Sequence, residues 1–313
     1  MIRLPSLRIP MTRGAGIALA LTTAGISGVA VFVNGYAVQQ VPSASVYTTA
    51  KNLVAAMLLC AGLLAVSRRT LRPALRALDR RAALALLAVG VFGGGLAFIL
   101  FFEGLRHAGS TQAGFLQKTL VLWVALLAVP LLRERIGVRH VAAVAALLLG
   151  QVALSGDLTA LRHSTTGEWM VLAATLIWAG EVIVVRALLR SIPSQVVGVA
   201  RIGVGVVVLL AYLAVSGNLT GLLHLGGAGW AVALLTGAVL AGYVTTWFAA
   251  LARASAVDVT AVLVLGAFVT ALLDAAAHHT TLAPHLAGLL LILAGAALAA
   301  LPLARRTRAV LTT

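Results

Sequence analysis

The chain has 313 residues, 61% hydrophobic and 10% charged, with a net charge of +15. That balance excludes a soluble globular domain of this length. A spanning helix needs about 20 mainly apolar residues, so most of the chain can be membrane. The positive charge does not indicate a nucleic-acid partner, because the basic residues sit in short loops between apolar runs, where they orient spans.

The first apolar run, Gly16 to Val33, follows Arg3, Arg8 and Arg13. It imitates a signal peptide, but it is long for one and no soluble domain follows, so it reads as the first span. Ten runs follow one another: 15–36, 44–66, 82–103, 109–131, 138–156, 168–188, 194–216, 228–250, 255–276 and 283–303. These are spans 1 to 10. The one sizeable loop, 68–81, holds six arginines. With the N-terminus inside, 18 basic residues fall on cytoplasmic segments and only Arg106 and Arg162 on the other side. The expectation is a multi-pass protein of the cell membrane with both termini cytoplasmic. The lone cysteine, Cys60, lies within a span and permits no disulfide inside the chain.

The two halves match weakly and in order. Val41-Pro42 resembles Ile192-Pro193, Lys51 matches Arg201 at an offset of 150, Leu105 and Ala108 match Leu251 and Ala254 at 146, and His140 and Gly150 match His285 and Gly295 at 145. The expected organisation is a tail (1–14), a five-helix repeat (15–156), a linker (157–167), a second five-helix repeat (168–303) and a tail (304–313). An odd number of spans per repeat inserts the second copy upside down. The expected fold class is therefore an all-α integral membrane protein of ten transmembrane helices in two inverted five-helix repeats. This is an architecture of transporters, with the site at the repeat interface near the midplane.

The run GFLQKTLVLWVALLAVPLLRERIGVRHVAAVAALLLGQVAL resembles the span 4–5 unit of the EamA-like family of the drug/metabolite transporter superfamily, and TLAPHLAGLLLILAGAALAA resembles its closing span. The basic residue early in the second span of each repeat, Lys51 and Arg201, also fits. The resemblance implies ten helices in two inverted repeats and secondary transport of small metabolites, often export. The chain departs from the family pattern in three places. Proline is late in span 4, at Pro130. The repeat equivalent of Glu134 falls at His278-His279. Span 6 carries Glu181 where many members have a small polar residue.

Charges at bilayer depth are functional candidates by default. Glu181, with Trp178 three residues back on its face, and Arg201 share a depth on consecutive spans, so they are expected to pair as a gate, a proton-linked carboxylate or a static ion pair. Lys51 and Glu103 are expected to mirror them. Lys118 lies too deep in span 4 to snorkel easily, so it is a candidate to bind an anionic group or to titrate during transport. Tyr243 and Trp247, four apart on span 8, are candidate cavity aromatics. Asp258 and Asp274, near the ends of span 9, are expected to be solvated. Gly93-Gly94-Gly95 reads as helix packing or a hinge.

No phosphate-binding glycine loop, H-E-x-x-H or paired cysteines occur in the sequence. The expected function is a secondary transporter, with export favoured, of a small metabolite or drug-like compound by alternating access. It is expected to need no catalytic residue, cofactor or metal. Its expected partners are the lipid bilayer, a small-molecule substrate and a proton or other coupling ion, while homo-oligomer formation is left open. Three intramembrane cations favour an anionic or zwitterionic cargo, and Glu181 keeps a cationic one in play. The alternative is a membrane-embedded enzyme or lipid-handling protein without transport activity.

Overall fold

A computed structural model describes residues 12–41, 43–65, 78–108, 110–134, 136–155 and 166–301. Most of the arginine-rich loop, of the linker and of the N-terminal tail, and the whole C-terminal tail, lie outside them. Among the described residues nine helices are long and apolar enough to cross a bilayer, and a shorter one, Val138–Ser155, makes the tenth span. Each expected run becomes a span: Arg13–Gln40, Ala44–Ala65, Arg80–Ala108, Ser110–Leu132, Val138–Ser155, Thr166–Leu188, Ser194–Val215, Gly226–Leu251, Ala256–His278 and Leu286–Ala300. A short helix, Leu219–Leu223, joins spans 7 and 8.

The packing repeats with a shift of five spans. Span 1 lies on spans 8 and 9, and span 6 lies on spans 3 and 4. Span 2 packs on span 8 and span 7 on span 3, while spans 2 and 7, and spans 5 and 10, pair with each other. That is the pattern of two copies related by a two-fold axis. Lipid tails are as apolar as leucine, so these contacts rest on close packing at small residues. A Cβ on Gly150 would come within 2.8 Å of the Gly288 carbonyl oxygen, and one on Gly295 within 2.8 Å of the Ala143 oxygen. The two contacts are one another's repeat image at the offset of 145.

Three spans are irregular. Span 4 breaks at Thr119, between Ser110–Lys118 and Leu120–Leu132, and span 9 breaks at Val264 and Leu265, between Ala256–Leu263 and Gly266–His278. Thr119 and Leu265 are 146 residues apart, a repeat offset. Both spans also end on a left-handed residue at that offset, Arg133 (φ 55°) and His279 (φ 52°). Span 3 winds as a π-helix over Val89–Leu96, the Ala97 amide donating to the Phe92 carbonyl five residues back. Such widened turns recur at functional sites.

Candidate functional site

A cavity of about 140 Å³ lies between the repeats. By volume it has room for roughly five waters or a small organic molecule. Spans 1 to 4 of the first repeat and spans 6 to 9 of the second wall it, while spans 5 and 10 contribute nothing. Seven of the eight candidate residues line it: Lys51, Lys118, Trp178, Glu181, Arg201, Tyr243 and Trp247.

The second repeat supplies an ion pair. Arg201 reaches back from span 7 to span 6, where Nε and Nη2 donate to the two carboxylate oxygens of Glu181, the second bond measuring 3.1 Å. Both residues are buried. This planar, two-bond fork is the strong form of a charge-assisted contact. Glycines let span 3 lie against it. A Cβ on Gly93 would overlap the Glu181 carboxylate, and one on Gly94 would overlap the Arg201 carbonyl oxygen. Trp178 Nε1 donates to the Gly93 carbonyl at 3.0 Å, which the wider π-helical turn leaves available. The triplet therefore does pack helices, and it packs them at the ion pair.

The first repeat builds the same contact with different chemistry. Lys51 reaches back from span 2 to span 1, Nζ donating to Asn34 Oδ1 at 3.1 Å, and lies 3.7 Å from the centre of the Phe102 ring. Its repeat counterpart, Arg201, lies over Phe248 at 6.0 Å, and Phe102 and Phe248 are 146 apart. Phe98 stands between the two cations, 5.7 Å from Lys51 and 5.3 Å from Arg201. An amide thus stands where the second repeat has a carboxylate. The expected Lys51–Glu103 pair does not form. Glu103 follows Phe102, so its side chain points about 100° away around the helix. It is half-buried, outside the cavity wall and within electrostatic reach of Tyr212.

Lys118 is 6% exposed and stands at the end of the first half of span 4. No hydrogen bond or ion pair from the described residues reaches it, and Glu181 across the interface stays with Arg201. Beside it, Gln117 Oε1 is buried without a hydrogen-bond partner, and Gln117 also lines the cavity. Tyr243 and Trp247 stack on the second-repeat wall with ring centres 6.0 Å apart. Asn34, Gln117 and the glycine triplet were not among the candidate residues. The signal for Asn34 was its place 17 residues before Lys51, much as Glu181 precedes Arg201 by 20.

Below the cavity, the face that carries both described ends of the chain is sealed. Every residue of Ala256–Leu263 is buried. Asp258 is not solvated: it is 4% exposed, with Arg13 Nε at 3.1 Å and His140 Nε2 at 3.4 Å. The start of span 9 is drawn inward because its free amides find acceptors there. Glu134 accepts from the Ala256 and Val257 amides at 2.9 and 3.3 Å, and Ser255 caps the Asp258 amide. Arg13 also donates to the last carbonyls of span 10, Ala299 and Leu301. The ties made by Arg13, Glu134 and His140 all join the first repeat to the second. The corresponding half of span 4, Ser110–Lys118, packs on spans 3, 5 and 6, and its Gly114, Phe115 and Gln117 are only half-buried. Asp274, by contrast, is exposed as expected, beside His278.

The sequence profile described as the EamA-like transporter family matches residues 14–156 and again 165–301. A solved structure, described as a crystal structure of protein, superposes with a TM-score of 0.72 at 19% identity, covering 93% of this chain and 99% of that one. At that identity the likeness speaks for the fold. No curated protein matches.

Proposed function

Since the chain belongs to the EamA-like transporter family, whose profile covers both halves, we propose that it is a secondary transporter that exports a small metabolite or drug-like compound by alternating access. The observation that carries this reading is a cavity between two inverted repeats, sealed at one face by ties that run from one repeat to the other. Spans 4 and 9 both break beside it, as the discontinuous helices of transporters do at their binding sites. In this reading the described conformation is closed at the face of Arg13 and Asp258, which is cytoplasmic. The return step breaks the Arg13, Glu134 and His140 ties and makes their counterparts around the first half of span 4. Glu181 or Lys118 is the group for proton or ion coupling, and the membrane is the cell membrane.

Uptake and efflux in proteoliposomes against a mixed metabolite library, read by mass spectrometry with and without a pH gradient, tests the reading. One compound class should move, and its movement should respond to a gradient. Silence across the library and every gradient would count against transport. The seal is tested separately in a Cys60→Ser background carrying Leu263→Cys on the cavity wall. Asp258→Asn should raise its labelling from the cytoplasmic face by an impermeant thiol reagent several-fold. Unchanged labelling would remove Asp258 from the gate.

A further inference from the structure

The two repeats present the same contact with unequal charge. Arg201 has a carboxylate, whereas Lys51 has an amide oxygen and an aromatic face. Lys118 has neither. Three cations and one carboxylate line the cavity, and that carboxylate is taken by Arg201. Two ammonium groups, on residues only 2% and 6% exposed, are thus without a counter-charge among the described residues. A buried ammonium without a counter-charge costs several kcal/mol, and a cation against an aromatic face recovers only about 2. An anion seated between them would supply the missing term. Beside Lys118, the unused Gln117 oxygen needs a donor. Phe98, Trp178, Tyr243 and Trp247 offer an apolar surface.

We propose that the cargo site is an anion site: it takes an organic carboxylate with an apolar or aromatic body and a hydrogen-bond donor next to the carboxylate. Lys118 and Lys51 bind the carboxylate, Gln117 accepts from the donor, and the aromatic wall holds the body. This rests on the transporter reading for the word cargo, but the binding chemistry stands apart from it.

The test measures binding to purified full-length protein in nanodiscs, by quenching of tryptophan fluorescence, since Trp178 and Trp247 line the cavity. The probes are phenyllactate, its neutral methyl ester, 3-phenylpropionate, which lacks the donor, and 2-phenylethylamine. Phenyllactate should bind at least tenfold more tightly than the ester and the amine, and several-fold more tightly than 3-phenylpropionate. Lys118→Met should weaken it tenfold or more, and Lys118→Arg should restore most of the loss. Asn34→Asp gives Lys51 the carboxylate that Arg201 already has, so it should fold and still weaken phenyllactate several-fold. The proposal is overturned if the amine binds as well as the acid, if neither acid binds saturably, or if Lys118→Met binds like wild type. Counterflow in proteoliposomes separates the two readings. Selective acid binding without movement leaves the anion site and removes transport. Movement of amines without acid binding does the reverse.

Discussion

Replacing Gly94 with valine should remove most of the folded protein, whereas Gly203→Ala should be silent or mildly stabilising. At Gly94 the first added carbon already overlaps the carbonyl oxygen of Arg201 and lies 3.3 Å from the Gly205 Cα. Both neighbours are main chain, which cannot turn aside as a side chain can. Overpacking a core typically costs about 1–3 kcal/mol, and this case belongs at or above the top of that range because spans 3 and 7 must separate. At Gly203 an added Cβ meets nothing within 4 Å, and glycine to alanine in a helix gains up to about 1 kcal/mol. Fluorescence-detected size exclusion and thermal melting of the two variants would show the contrast. A Gly94→Val protein with wild-type yield and melting temperature would mean that the spans do not approach so closely.

Breaking the Glu181–Arg201 pair from either side should destabilise the protein by about 3–5 kcal/mol, because each single change strands a buried charge. Glu181→Gln leaves the guanidinium uncompensated, and Arg201→Met leaves the carboxylate. The double variant removes both charges and should recover most of the lost stability, since residues in direct contact are strongly non-additive. Transport separates the roles. If the pair only neutralises itself, the double variant should transport near the wild-type rate once folded. If it gates the cavity or carries a coupling proton, the double variant should melt like wild type and transport little. Double variants that melt no higher than the singles would show that the two side chains are not each other's main partner.

What the sequence disclosed was mostly what hydropathy and charge carry. The ten spans are visible because twenty apolar residues leave few alternatives. Glu181 and Arg201 are visible because charge is rare at that depth and their counted depths agree. Asn34 was passed over because an amide in an apolar run signals nothing by itself, while the nearby carboxylate of Glu103 drew the pairing to a side chain that points elsewhere. Asp258 was misread because position near a span end suggests water, and only the tertiary fold brings Arg13, His140 and Glu134 to that end. The breaks in spans 4 and 9 fall at Thr119 and at Val264-Leu265, with no proline at either and only Gly266, just past the second, to announce them. The π-helix was legible only as a run of three glycines.

Spans 5 and 10 meet backbone to backbone at Gly150 and Gly288 and line no part of the cavity. Helices that touch this closely have little room to slide or part. In the proposed alternating-access cycle, relative motion of the repeats would be a lever with its fulcrum at this pair, small there and growing with distance from it. Along the packing, spans 2 and 7 lie farthest from that pair and would sweep the widest arc, and the aromatic walls on spans 3 and 8 would move more than the fulcrum.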